Sequence, residues 1–435
     1  MIRAYKFRMY PTSKQEDLLR AMLADHCFLY NAALEARAGA WTRSHVGIRY
    51  ADETGQLTAI RAYDPDYARW SFTSQMGTLR RLERAFQGFF RRVKAGETPG
   101  YPRWKKSGRF NTVVHRNGDG AKWDSVPHPT QTRVYFQGIG HVRVRQHRPV
   151  TGRVKTVSVK REGKHWYVVL AVEQDLPAPL PKTGAVVGLD LATGSNGLAY
   201  TSLGERIGNP AYGKVSLEKL ADAQRAVKRT KPGSNRNRKA RGRVAGMHRK
   251  TRNQRHDYLH KAAHQLVARY DVIVAEKLTI AGMTRRAAPR PDGAGGYEPN
   301  GGSAKTGLNR SILDAGWGIL LGMIRAKAES AGRQLILVNP AYTSQTCSEC
   351  GHREAANRNG KDFLCLSCGH RDDADVNAAV NILRAGLVLR DTAKAVSREN
   401  LSGSGGVTAS QSGEVTSALL LDRARRHAQG ELIDS

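Results

Sequence analysis

The sharpest chemical signature in this sequence is four cysteines in two turns, Cys347-x-x-Cys350-Gly351 and Cys365-x-x-Cys368-Gly369. Zn²⁺ favours tetrahedral sets of four thiolates at about 2.3 Å, and a CxxC turn delivers two sulfurs to one ion. Glycine after the second cysteine permits the positive φ that such a turn needs. Two turns close the shell and leave no open position, so the expected zinc is structural. Two redox-active CxxC pairs are the alternative. His352 and His370 flank the turns and are expected to be exposed, facing phosphate, because four sulfurs already complete the shell. Cys27 falls in a helical pattern and reads as an inert core thiol.

Three carboxylates form a second constellation. Asp190 ends the apolar run AVVGLD, Glu276 follows DVIVA, and Asp375 opens DVNAAVNIL directly after the cysteine turns. Acids at element ends of one α/β domain can converge on hard divalent cations. Mg²⁺ takes oxygen ligands and retains waters, so few carboxylates suffice. Two such ions can activate water and stabilise the leaving oxygen in phosphodiester cleavage. Each acid also has an ordinary reading. Asp375 can be a helix N-cap, and Glu276 a partner of Lys277. Asp190 resists that treatment, because an unpaired acid after so apolar a strand is costly.

The elements that must position these groups follow from periodicity. Ile2 to Arg8 alternates like a strand, and Ser13 with Glu16 reads as a capping box opening a helix. That helix carries Leu18, Leu19, Met22, Leu23, Phe28, Leu29 and Leu34. A second helix, about 74–94, gathers Leu79, Leu82, Phe86 and Phe90 on one face and Arg80, Arg81, Arg84, Arg91 and Arg92 on the other. Short strands at Arg133–Gln137, His141–Arg145, Val154–Lys160 and Trp166–Glu173, joined by Ile2–Arg8, predict a small antiparallel barrel. After the linker PAPLPK, strands and helices alternate, predicting an α/β domain with one amphipathic helix over Leu308–Ala331, capped at Gly332. On that helix Leu313, Trp317, Leu320, Ile324 and Ala328 share a face. The Gly/Pro-rich stretch 289–305 is expected to be a mobile loop.

Lys and Arg number 70 against 38 Asp and Glu, a formal charge of +32. Such self-repulsion favours a polyanionic partner, and nucleic acid is the obvious one. A highly charged soluble protein or a membrane-surface binder is the bland alternative. No run of 18 or more apolar residues suggests a membrane span, and the amino terminus lacks a signal-peptide pattern. The expectation is a cytoplasmic, prokaryotic protein, associated with the nucleoid when bound to DNA. Between Arg225 and Arg255 no acidic residue occurs, while Arg225, Lys228, Arg229, Lys231, Arg236, Arg238, Lys239, Arg241, Arg243, Arg249, Lys250, Arg252 and Arg255 crowd the segment. Pro232–Gly233 divides it into two helices. A disordered cationic tether is the competing reading.

Five segments, GLDLATGSNGLAYTS, IVAEKLTIAGM, NPAYTSQTCSECG, FLCLSCG and DADVNAAVNIL, resemble in content and order the TnpB proteins, transposon-encoded relatives of type V CRISPR effectors. MIRAYKFRMYPTSKQEDLLRAMLADHCFLYNAAL, AFQGFFRRVKAGETPGYPRWKK, GKHWYVVLAVE and RNQRHDYLHK extend the resemblance over about residues 1–390. It implies an α/β multidomain fold. A wedge β-barrel has its first strand at 1–10 and its body at 100–180, with an inserted helical recognition lobe at 11–99. An RNase H-like (RuvC) domain occupies 184–342 and 373–391, interrupted by a zinc ribbon at 343–372. A mostly disordered tail follows at 392–435, with a short helical run at 414–429.

The resemblance also implies a triad at Asp190, Glu276 and Asp375 holding two Mg²⁺, with Asp373 a decoy facing solvent or the ribbon. It implies a guide RNA from the transposon end, a double-stranded DNA target beside a short adjacent motif, and a monomeric ribonucleoprotein. Gln75, Arg103, Trp104 and Lys105 are candidates for contacting that motif. The chain departs from the family at Ala192, where Gly is usual, and in a longer loop after Met283. Asp190→Ala should abolish RNA- and Mg²⁺-dependent cleavage. A guided DNA-binding repressor without cleavage and a strand-transferring transposase are the competing functions.

Overall fold

The computed structural model describes residues 1–124, 132–193 and 197–402. The expected helical run at 414–429 lies outside them. The chain divides into two compact units: Met1–Ala178 with Lys219–Lys250, and Pro179–Glu218 with the chain from Thr251 on. Among the described residues no helix is long and apolar enough to cross a membrane.

The first unit is built on a closed barrel. Its strands are β1 (Ile2–Tyr10), β2 (Thr112–Asn117), β3 (Gly120–Lys122), β4 (Thr132–Phe136), β5 (Gly140–Arg145), β6 (Arg153–Glu162) and β7 (His165–Glu173), in the order β1-β5-β4-β3-β2-β6-β7. Alternation sends Tyr5, Phe7, Met9, Val157, Val159, Val168 and Leu170 inward. Strands β2 and β3 are additions to the sequence reading; β3 is only three residues long. Between β1 and β2 lie α1 (Ser13–Ser44), α2 (Tyr50–Tyr63), α3 (Pro65–Ala68) and α4 (Phe72–Lys94).

Several sequence expectations for this lobe need correction. Thr12, not Ser13, caps α1, and its capping box closes with Gln15 rather than Glu16. Phe28 and Phe90, assigned to apolar faces, are 71% and 55% exposed. Gln75 is fully buried, accepting from Arg61 and donating to the Tyr67 carbonyl, which withdraws it from any nucleic-acid surface. It lies on the same helix as the exposed arginines, but sequence alone does not show that Arg61 of α2 folds over it. Cys27 is buried as expected, its thiol donating to the Lys105 carbonyl.

The second unit contains a sheet of β8 (Val186–Leu191), β9 (Ala199–Thr201), β10 (Arg206–Ile207), β11 (Val272–Glu276) and β12 (Gln334–Val338), ordered β10-β9-β8-β11-β12. Strands β8, β11 and β12 are parallel; β9 and β10 run antiparallel. The helices along this stretch of chain are α5 (Tyr212–Val215), α6 (Leu217–Lys228), α7 (Asn235–Arg269), α8 (Ile280–Met283), α9 (Gly302–Ala315) and α10 (Trp317–Ala331); nearly all of α6 and the first half of α7 belong to the first unit. The predicted single helix over Leu308–Ala331 is two. Gly316 at φ 73° ends α9 and starts α10, and Leu313 is 57% exposed instead of sharing the buried face. Helix α9 also begins inside the stretch expected to be loop.

A three-stranded sheet, β13 (Arg358–Asn359), β14 (Asp362–Leu364) and β15 (Arg371–Asp373), leads into α11 (Ala374–Ser402). Helix α11 continues through 392–402, where a disordered tail was expected. The basic segment Lys219–Lys250 packs with the barrel unit, whereas chain order had grouped it within 184–342.

Candidate active site and cysteine cluster

Strand β8 is central and apolar until Asp190, and β11 ends at Glu276. Helix α11 brings in the third acid. Gly188 makes this approach possible: a Cβ there would lie 2.1 Å from the Ala379 carbonyl of α11, so strand and helix meet backbone to backbone. Asp375 then occupies the first turn of α11. The capping role belongs to Asp373, whose Oδ1 accepts from the backbone N–H groups of Asp375 at 2.8 Å and Val376 at 3.4 Å. Asp373 is therefore a half-buried cap that also faces the ribbon's Lys361 at 3.9 Å, and the Asp375 side chain takes no part in capping.

Asp190, Glu276 and Asp375 line one cavity of about 370 Å³ with Thr343, Arg358 and Trp317. Burial pushes the Asp190 carboxyl up to about 8, and the charges of Glu276 and Asp375 push the same way, opposed by Arg358. Burial also raises Glu276, while the Thr343 hydroxyl, donating to its Oε1 at 2.7 Å, and Arg358 pull it back. Asp375 Oδ1 accepts from Arg358 at 2.9 Å and Oδ2 from the Lys361 ammonium at 3.0 Å. Lys361 also donates to the Tyr200 hydroxyl at 2.6 Å, and Tyr200 pairs with Asp190 across β8 and β9. Two buried acids and the half-buried Asp190 facing one space need positive charge, and an all-oxygen donor set suits a hard divalent cation.

Sequence reasoning missed the residues that complete this cavity. Trp317 looked like a core residue of one long helix; the break at Gly316 puts its indole N–H 3.0 Å from the Ala192 carbonyl, tying down the chain after β8. Arg358 and Lys361 were counted only as part of a basic ribbon. Thr343 had no periodic signal at all.

The four cysteine sulfurs lie within 4.8 Å of one another. Cys347 Sγ is 3.7 Å from Cys368 Sγ, and Cys350 Sγ is 3.5 Å from Cys365 Sγ. Both turns are built alike: Gly351 N–H donates to the Cys347 carbonyl and Gly369 N–H to that of Cys365, with φ of 77° and 73° at the two glycines. Backbone N–H groups of Cys368 and Ser367 lower the Cys365 thiol, while the neighbouring sulfurs raise Cys368, so the crowded sulfurs do not all ionise together without a cation. This cluster can bind zinc. His352 and His370 are half-buried rather than exposed. His352 lies 3.1 Å from Glu354, and His370 lies 3.4 Å from the Ser348 hydroxyl. Asn377 and Asn381 of α11 bind the backbone of Thr343, Thr346 and Ser348, which fixes the cysteine turns to the helix carrying Asp375.

Of the basic candidates, Arg225, Lys228, Arg229, Lys231, Arg236, Arg238, Lys239, Arg241, Arg243, Lys250 and Arg252 are exposed on α6, α7 and the turn between them. Arg225 pairs with Asp222 on its own helix. Arg249 is half-buried beside Gly163. Arg255 is committed to Asp314, which also accepts from the N–H groups opening α5, so its position is structural. Arg103 and Trp104 are exposed, whereas Lys105 sits over the Tyr30 ring with its backbone bound by Asn31.

Family comparisons fall along most of the chain. Residues 167–287 match the family model described as "Probable transposase", and residues 317–382 the one described as "Cas12f1-like, TNB domain". Residues 1–45 match a model described as a helix-turn-helix domain, although the structure there is a strand and one long helix. The chain is 32% identical to the Escherichia coli (strain K12) protein named "Putative RNA-guided DNA endonuclease InsQ", over 88% of this chain and 92% of that one. It is 31% identical to a Streptomyces pristinaespiralis protein named "Putative RNA-guided DNA endonuclease", covering 88% and 89%. Its fold is similar to that of the chain in a Cas12f1–sgRNA–target DNA complex, with a TM-score of 0.53 at 12% identity, covering 88% and 98%.

Proposed function

Because the chain belongs to the TnpB (OrfB) family, relatives of type V CRISPR effectors, we propose that it is an RNA-guided DNA endonuclease of RuvC type. It takes a guide RNA from its transposon end and cuts double-stranded DNA beside a short adjacent motif. One observation carries the reading: Asp190, Glu276 and Asp375 line the same cavity and perturb the same titration.

Asp190, Glu276 and Asp375 would hold two Mg²⁺, which when bound supply an activated water and stabilise the leaving oxygen. The protein's own groups prepare the site. Thr343 orients Glu276, Trp317 fixes the backbone after Asp190, and Arg358 lines the cavity where a phosphate would enter. An arginine there gives bidentate geometry toward phosphate oxygens. The exposed cations of α6 and α7 grip the backbone of the heteroduplex, while base pairing supplies the sequence. Four cysteines with a zinc ion hold the ribbon against α11.

The test is cleavage by the purified ribonucleoprotein. Matched plasmid should be cut in Mg²⁺ and left intact after RNase treatment or in Asp190→Ala. Undiminished cutting in either condition would refute the reading.

A further inference from the structure

A second cavity lies in the barrel, in the unit that does not contain the three acids. It has a volume of about 360 Å³ and is lined by Arg116, Asn117, Trp123, Arg153, Val154 and Lys155. That size is at the lower end of small-ligand sites, which run from about 300 Å³. Three cations and an indole share this lining. The pairing of β6 with β7 shifts between Val154 and Thr156, leaving Lys155 as the extra residue of a bulge. Bulges of this kind re-aim a side chain.

The wall is also ordered. Trp123 stacks on Phe7 with ring centroids 5.5 Å apart and planes at 16°. Its backbone N–H donates to Asn117 Oδ1 at 3.1 Å, which orients the Asn117 amide. Lys155 shares its charge with Glu173 at 3.0 Å. Arg153 faces the same carboxylate across β6 and β7, and after the Lys155 contacts its charge also holds Glu173 down.

We infer that this cavity binds one unstacked nucleotide of a strand carried by the protein, its phosphate against Arg116 and Arg153 and its base against Trp123 and the Asn117 amide. Planar guanidinium groups match phosphate oxygens, and an indole offers a face to any base. The inference rests on the proposed RNA-guided function and adds to it a built site for one nucleotide.

The experiment uses the full chain. RNA-free protein is titrated with uridine 5′-monophosphate, deoxyuridine 5′-monophosphate, uridine and inorganic phosphate. The expected result is saturable binding of the nucleotides, with uridine and phosphate alone about tenfold weaker or more. The double variant Arg116→Gln/Arg153→Gln should weaken nucleotide binding about tenfold. Trp123→Leu should weaken it too, and Trp123→Phe, which keeps a ring on Phe7, should restore part of it. In the loaded ribonucleoprotein, 4-thiouridine in the RNA or 4-thiothymidine in the DNA should crosslink to the peptide containing Trp123, and the reactive strand identifies the source.

Phosphate binding as tightly as nucleotide, or nucleotide binding unchanged in both Arg116→Gln/Arg153→Gln and Trp123→Leu, would overturn the site. Neither readout depends on cleavage. Loss of the site therefore leaves the nuclease reading standing, and failure of cleavage leaves the nucleotide titration interpretable.

Discussion

In the metal-free protein, Asp190→Asn should raise stability while abolishing cleavage. The wild-type carboxyl is pushed up to about 8 from 3.8 by burial and by Glu276 and Asp375. Between those values the folded chain binds a proton that the unfolded chain has released, so stability falls as pH rises through that window. At pH 7 the difference of about three units amounts to at most about 4 kcal/mol. Partial solvent access lowers this to about 2–4 kcal/mol. Asparagine keeps the shape and cannot ionise, so the variant escapes the penalty.

Its advantage should grow by about 1–2 kcal/mol between pH 6 and pH 8. In thermal terms, the gain at pH 7 is about 5–10 °C. The assay is thermal unfolding in Mg²⁺-free buffer supplied with one equivalent of zinc and no strong chelator, so that the cysteine cluster is in the same state in both proteins. Added Mg²⁺ should stabilise the wild type and leave Asp190→Asn nearly unmoved. A variant no more stable than wild type at pH 7, or an advantage that shrinks with rising pH, would show that the three acids do not share a site.

Other perturbations probe the remaining supports. Lys361→Met removes a cation competing for Asp375 Oδ2, so calorimetric titration should show Mg²⁺ binding about three- to tenfold more tightly. Cys365→Ser should release zinc and loosen the hydrogen bonds from the cysteine turns to Asn377 and Asn381; the measurable results are increased hydrogen exchange over 343–372 and weaker Mg²⁺ binding. Gly188→Ala places a methyl group against the Ala379 carbonyl. It should destabilise the α/β unit by about 3 kcal/mol in denaturant titration.

How much was legible beforehand depended on whether the signal was local. The cysteine turns were, because spacing and the following glycine are properties of a few consecutive residues. The acids were legible as strand and helix ends, yet the choice between Asp373 and Asp375 needed more than spacing. The structure assigns capping to Asp373 through its bonds to two N–H groups. Helix α2 was missed because its pattern is weak, and with it went the fate of Gln75, buried under Arg61. The split of α9 from α10 hinges on one positive-φ glycine that a periodicity argument reads straight through.

The sequence by itself determined a strongly basic charge balance suited to a polyanion, a zinc-competent cysteine set, and two apolar strands that carry an acid at or next to their last residue. These follow from composition and from repeats of two or a few residues, which chain connectivity preserves. Only the tertiary structure decided that Arg358, Lys361, Thr343 and Trp317 belong with the acids, and that Lys219–Lys250 packs with the barrel. Those relations join residues far apart in the chain, and burial and charge compensation act through space without leaving any mark on sequence spacing.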